Sequence, residues 1–132
     1  RKGFDEAILL DQSGNVSEAP GENIFLVKNN QLITPSLSSS ALDGITRRSI
    51  ITLAKDMKLK VKIQKVSKKE LKAADEIFLS GTAAEITPII KIDKKTVGNG
   101  KVGNITKLCM NTYSDIVMNK NENYSSWLTA VY

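Results

Sequence analysis

Apolar positions along this chain fall into two rhythms, one suited to strands and one to helices, and they alternate several times. Ala7-Ile8-Leu9-Leu10 is a short apolar run that ends in the turn-forming stretch Asp11-Gln12-Ser13-Gly14-Asn15. Ile24-Phe25-Leu26-Val27 begins a second run, and Asn29-Asn30 separates it from Gln31-Leu32-Ile33-Thr34. Three short strands are predicted, the last two joined as a hairpin at Asn29-Asn30. From Gly44 the period lengthens: Ile45, Ile50, Ile51, Ala54 and Met57 are spaced for one face of a helix that starts near Gly44. Leu59, Val61 and Ile63 then alternate with polar residues, as in a half-exposed strand. Ser67-Lys68-Lys69-Glu70 has the spacing of a capping box, which predicts a short helix through Ala74.

Ile77-Phe78-Leu79 predicts a buried strand that runs into the small residues Ser80-Gly81-Thr82-Ala83-Ala84, and strand character resumes from Ile86 to Ile92. Beyond the break at Gly98-Asn99-Gly100, Ile105, Leu108, Cys109, Tyr113, Ile116 and Val117 mark the longest amphipathic helix. A polar stretch from Asn119 to Asn123 ends it, and Trp127, Leu128 and Val131 predict a tail that docks. Strands and helices alternate without a repeat or a linker, so one mixed αβ domain of the α+β class is expected over residues 1–132.

Composition narrows this picture without redirecting it. A length of 132 residues supports one domain with its own core, and 41% hydrophobic with 25% charged residues is a globular balance. No stretch approaches the length of a membrane span or reads as a signal peptide, so a cytoplasmic location without membrane attachment is expected. The net charge of +5 is almost wholly lysine, spread over a strand and a helix start, and aromatic residues are only 5%. That is a solvated face and not a nucleic-acid surface. There is no histidine, which removes it as base or metal ligand, and no metal site is expected. The single cysteine, Cys109, falls in a helical apolar rhythm and is assigned to packing. The chain opens at Arg1-Lys2-Gly3 without a methionine and goes almost at once into a strand pattern, so it reads as a fragment.

Three places could carry chemistry. At Gly44-Ile45-Thr46 a glycine opens a helix and a hydroxyl lies in its first turn, aiming free N–H groups and a positive dipole end at one point, as suits a phosphate; simple capping is the other reading. The small residues from Ser80 to Ala84 would let a ligand approach backbone amides and the Thr82 hydroxyl, although close strand packing explains them equally. Glu18 lies in Ser17-Glu18-Ala19-Pro20-Gly21-Glu22-Asn23, where acids and an amide flank a Pro-Gly turn, and surface loops share that composition.

Taken together and in order, Ser17 to Phe25, Ser39 to Arg47 and Ser80 to Pro88 resemble the branched-chain amino acid aminotransferases, and the likeness runs almost end to end. The resemblance implies the C-terminal large domain of the fold-type IV pyridoxal-phosphate enzymes, a barrel-like sheet flanked by helices, working as a homodimer. It implies pyridoxal 5'-phosphate as cofactor, with Glu18 at the pyridine nitrogen. Leu42, Gly44, Ile45 and Thr46 would lie against the ring and phosphate, and Thr82 would supply a second phosphate hydroxyl. The amides of Thr82 and Ala83 would receive the substrate α-carboxylate. The implied reaction is amino transfer between leucine, isoleucine or valine and 2-oxoglutarate, as in branched-chain amino-acid biosynthesis.

In this family the Schiff-base lysine lies upstream of the matched segment, with the N-terminal domain. No lysine of this chain sits in a matching context, so the chain has no catalytic residue of its own and is expected to be inactive alone. Ala19-Pro20 and Asp43 depart from the family's pattern, which has a glycine and a small residue at the first place and a proline at the second; Asp43 would set a negative charge near the phosphate. D-amino acid aminotransferases and aminodeoxychorismate lyases share the fold. A binding module that has lost the chemistry is a further alternative, with Pro20 and Asp43 as signs of decay.

Overall fold

The computed structural model describes residues 6–39, 41–81 and 85–118. Its centre is the strand β3 (Asn23–Lys28), buried at every position but the last. Two asparagines with left-handed φ, Asn29 at 51° and Asn30 at 61°, turn the chain into β4 (Gln31–Pro35). The antiparallel pairing Leu26 to Ile33 and Lys28 to Gln31 is the expected hairpin, and asparagine tolerates these angles better than most residues. The helix α1 (Ile45–Asp56) then crosses back to β5 (Lys60–Gln64), which lies parallel to β4, as a strand, helix and strand unit requires.

The chain returns through α2 (Lys68–Lys72) to β6 (Glu76–Gly81) on the other side of β3, and β7 (Glu85–Ile89) lies antiparallel to β6. The result is a five-stranded sheet in the order β5-β4-β3-β6-β7. Two short pairs accompany it: β1 (Leu9–Leu10) with β2 (Val16–Glu18), and β8 (Lys91–Ile92) with β9 (Lys95–Thr96). The helix α3 (Asn104–Val117) completes the described fold. The α+β expectation holds, β2 and β9 are additions to it, and the tail at Trp127, Leu128 and Val131 lies outside the described residues.

Both faces of the sheet are covered, which is why β3 shows no polar alternation. Ile24, Leu26, Ile77 and Leu79 face one cluster, with Val16, Ala19, Val66 and Leu71. Phe25, Val27 and Phe78 face the other, with Ile50, Ile51 and Ala54 of α1 and Ile105 and Cys109 of α3. Phe25 and Phe78 sit opposite each other in register, with ring centroids 5.0 Å apart and planes 11° from parallel. Cross-strand stacking of this kind adds roughly 1 kcal/mol beyond the buried area. Cys109 is buried as expected, and burial, then the charge of Glu76, pushes its thiol up to about 11, so it is no nucleophile at neutral pH.

Some positions fall on the other side from expectation. Leu108 and Val117 of α3 are exposed, and so is Ile45 at 72%, whereas Arg47 is 4% exposed. The first turn of α1 is rotated so that Thr46 and Arg47, and not Ile45, go inward. No described helix is long and apolar enough to cross a membrane.

Candidate functional site

The ends of β2 and β3, the start of α1 and the end of β6 meet at one cavity of about 80 Å³. Glu18, Leu42, Gly44, Ile45 and Thr46 all line it, so residues up to 28 positions apart, predicted as site residues from separate motifs, are brought together. Four further groups share the lining: Gly21, Glu22, Asn23 and the pair Ser80-Gly81. Thr82 and Ala83 follow Gly81 directly but lie outside the described residues.

The wall is held at Leu42, whose N–H and carbonyl are both bonded. Glu18 Oε1 accepts from the Leu42 N–H at 2.7 Å, and Asn23 Nδ2 donates to the Leu42 carbonyl at 2.7 Å. Asn23 is buried and in register with Ser80, so the clamp is anchored on the central sheet. Among the described residues, Glu18 takes a hydrogen bond through Oε1 only. Gly44 is needed by close approach: a Cβ there would lie 2.5 Å from Asn23 Oδ1. Pro20 and Gly21, the latter at φ 73°, form a tight turn closed by reciprocal bonds of 3.0 Å between Ala19 and Glu22. Proline then glycine suits a type II turn, and the exposed Pro20 does not line the cavity.

The helix start is open. Gly44 caps α1 without a side-chain hydrogen bond, and no acid lies in the first turn. The N–H groups of that turn and the positive dipole end therefore have no anion of their own from the helix. Arg47 and Arg48 add positive charge at this end, the unfavourable one for a cation. Asp43 answers them, with Oδ1 3.4 Å from Arg47 Nη1 and 3.7 Å from Arg48 Nε. Asp43 is not among the lining residues, and its charge is spent on two guanidinium groups. Arg47 also donates to the Pro35 carbonyl at 3.2 Å, which ties the first turn of α1 to the end of β4.

Two polar atoms of the lining residues are sealed from solvent and have no hydrogen-bond partner among the described residues, Glu22 Oε2 and Ser80 Oγ. Burial, and secondarily the charge of Glu6, raises the Glu22 carboxyl above its ordinary value. Glu22, Asn23 and Ser80 stood inside the recognised motifs without roles. Their signal is positional: they flank the ends of two paired central strands. The arrangement can hold a ligand that brings an anion to the helix start and a cationic N–H to Glu18. Among the described residues no cluster of three or more His, Cys, Asp or Glu could hold a metal ion.

The family model described as amino-transferase class IV matches residues 1–92. The chain belongs to the class IV aminotransferase family. It is 48% identical over 131 residues to a protein named probable branched-chain-amino-acid aminotransferase of Aquifex aeolicus, covering 98% of this chain and 42% of that one. Among solved structures, it resembles the branched-chain aminotransferase of Thermoproteus uzoniensis determined with norvaline, at 46% identity and a TM-score of 0.95 over 99% of this chain and 43% of that one. It also resembles the branched-chain amino acid aminotransferase of Thermobaculum terrenum determined in its PLP form, the holo form, at 40% identity and a TM-score of 0.94 over 97% of this chain and 42% of that one. The fold is therefore that of these fold-type IV enzymes. The chain spans about two-fifths of the length of the relatives it matches.

Proposed function

We propose that the chain is the cofactor-holding domain of a pyridoxal 5'-phosphate aminotransferase that acts on branched-chain L-amino acids and 2-oxoglutarate. The observation that carries this is the shared cavity, where a carboxylate and an uncapped helix start face the same space. A ligand with a basic ring nitrogen and a phosphate suits that pair, and the PLP form of the Thermobaculum relative supports the choice. The substrate class rests on the names of the relatives and on the aliphatic amino acid norvaline in the Thermoproteus structure.

Bound pyridoxal phosphate supplies an electron sink for bond breaking at the amino-acid α-carbon. Glu18 holds the proton on the ring nitrogen through the oxygen that the Leu42 amide leaves free. The N–H groups of Gly44 to Thr46 and the Thr46 hydroxyl receive the phosphate at the positive end of α1. Leu42 and Ile45, exposed at 66% and 72%, cover the ring and exclude water. In this reading Thr82 adds a phosphate hydroxyl, and the amides of Thr82 and Ala83 take the substrate carboxylate through charge-assisted bonds.

The Schiff-base lysine belongs to a segment outside residues 1–132, and the whole protein works as a homodimer. The 132-residue chain alone is accordingly expected to show no turnover. In the full-length protein, L-leucine with 2-oxoglutarate is expected to be turned over, and Glu18→Gln is expected to lower kcat by at least a hundredfold, about 2.7 kcal/mol of barrier. Turnover of D-alanine without L-leucine, or an unchanged kcat in Glu18→Gln, would overturn the proposal.

A further inference from the structure

The cavity contains two carboxyl groups, and only one has been given a task. Glu22 lines the same space as Glu18, its Oε2 is sealed from solvent, and among the described residues that atom has no donor. An ionised carboxylate oxygen left dry and unpaired is among the more expensive arrangements a fold can hold, whereas a neutral carboxyl in the same place costs far less and gains a donor. Glu22 as a whole is half-buried, and its stem is held in place. A Cβ at Gly81 would lie 3.0 Å from Glu22 Cγ, and 3.1 Å from the Gly21 carbonyl, so the Glu22 stem is packed directly against the backbone of β6.

The charges around it point the same way. Glu6 faces it from the segment before β1, Glu18 from β2 across the cavity, and Glu85 is paired in register with Gly81 on β7. Among the described residues no lysine or arginine lines the cavity, because Arg47 and Arg48 are turned to Asp43. The positive feature there is the start of α1, which in the proposed function is taken by a phosphate. Two ionised carboxylates and a phosphate in one space of this size would repel each other.

We propose that Glu22 is the neutral partner of Glu18: it keeps its carboxyl proton at neutral pH and acts as a positioning residue toward the bound cofactor. Glu18 then carries the only negative side-chain charge among the described lining residues, which directs the ring nitrogen to Glu18 and not to Glu22. The raised proton affinity that burial and Glu6 impose on Glu22 agrees with this. The identity of the ligand rests on the proposed function; the protonation of Glu22 rests on the sealed Oε2 and on the carboxylates around it.

Two measurements on the full-length protein separate these layers. The infrared difference between wild type and Glu22→Gln at neutral pH is expected to show the loss of a protonated carboxyl band; loss of an ionised carboxylate band instead overturns the inference, whatever the cavity binds. The second is the dissociation constant of pyridoxal phosphate against pH, by equilibrium dialysis. Wild-type affinity is expected to fall at high pH as Glu22 ionises, and Glu22→Gln to lack that step. Glu22→Gln, which keeps a donor, is expected to bind about tenfold more tightly than Glu22→Ala, a difference of about 1.4 kcal/mol. The same pH dependence in wild type and Glu22→Gln overturns the inference. Failure of wild type to bind pyridoxal phosphate overturns the proposed function and the cofactor half of this one, while the infrared band still decides the proton.

Discussion

The two long helices begin alike and end up in opposite states. Both α1 and α3 are capped by a glycine with extended backbone, Gly44 and Gly103, neither has a side-chain cap, and neither carries an acid in its first turn. At α3 an acid arrives from elsewhere: Glu76 of β6 accepts from the Ile105 N–H at 3.3 Å, from the Thr106 N–H at 2.7 Å and from the Thr106 hydroxyl at 2.7 Å. At α1 no anion arrives from the described residues, and the neighbouring carboxylate, Asp43, is drawn off by two arginines. The same device, a helix start stripped of local capping, is closed by the fold in one place and left open among the described residues in the other. An open helix start says little by itself, but beside a filled one it marks where the fold withheld an anion.

The largest effect is expected from emptying the filled site. Glu76→Ala leaves three donors without their acceptor and should lower stability by about 2–3 kcal/mol, read as a shift in the urea midpoint. Phosphate binding, followed by phosphorus NMR, should not change, because Glu76 does not line the cavity at the α1 start; a parallel loss of both would break the contrast. Next is blocking the open site. Gly44→Ala places a methyl against Asn23 Oδ1 and should weaken cofactor binding about tenfold, about 1.4 kcal/mol. Unaltered affinity would show that the cavity wall yields more easily than its clamp suggests.

The third helix start supplies an intermediate case. At α2, Ser67 and Glu70 form the reciprocal capping box, the Glu70 N–H donating to Ser67 Oγ at 3.0 Å and the Ser67 N–H to Glu70 Oε1 at 3.3 Å. Ser67→Ala should cost about 1 kcal/mol in the same unfolding measurement. The smallest effect belongs to the half-exposed Lys28, which lies 3.5 Å from Asp75 and donates to the Ala73 carbonyl at 2.8 Å; Lys28→Met should move stability by about 0.5 kcal/mol, and less at high salt.

These three starts also show what could be read in advance. The capping box was legible because both its members lie within four residues, and the hairpin at Asn29-Asn30 because two adjacent asparagines meet a local conformational demand. The α3 cap was not, since Glu76 acts across 29 and 30 residues through tertiary placement. β2 was missed because it is only three residues long and contains the buried polar Ser17. Ile45 was placed in the core by helical spacing, but the first turn of α1 serves the cavity, and that use turned Arg47 inward in its place. Gly44, Ile45 and Thr46 were legible as an open helix start, whereas Glu18 and Leu42 gained roles only as parts of motifs. Nothing in their spacing said that they share one wall, and the position of Glu22 beside them needed the register of β3 and β6.

The clamp on Leu42 has an evolutionary consequence. Glu18 serves the wall with one oxygen and, in the proposed function, the ligand with the other, so no single substitution can retune the ring nitrogen without also loosening the loop that leads into α1. Asn23 gives the loop a second hold at the same residue. A lineage that gives up the cofactor and drops Glu18 keeps only the Asn23 hold on that loop. A lineage that keeps the cofactor has little freedom at either residue.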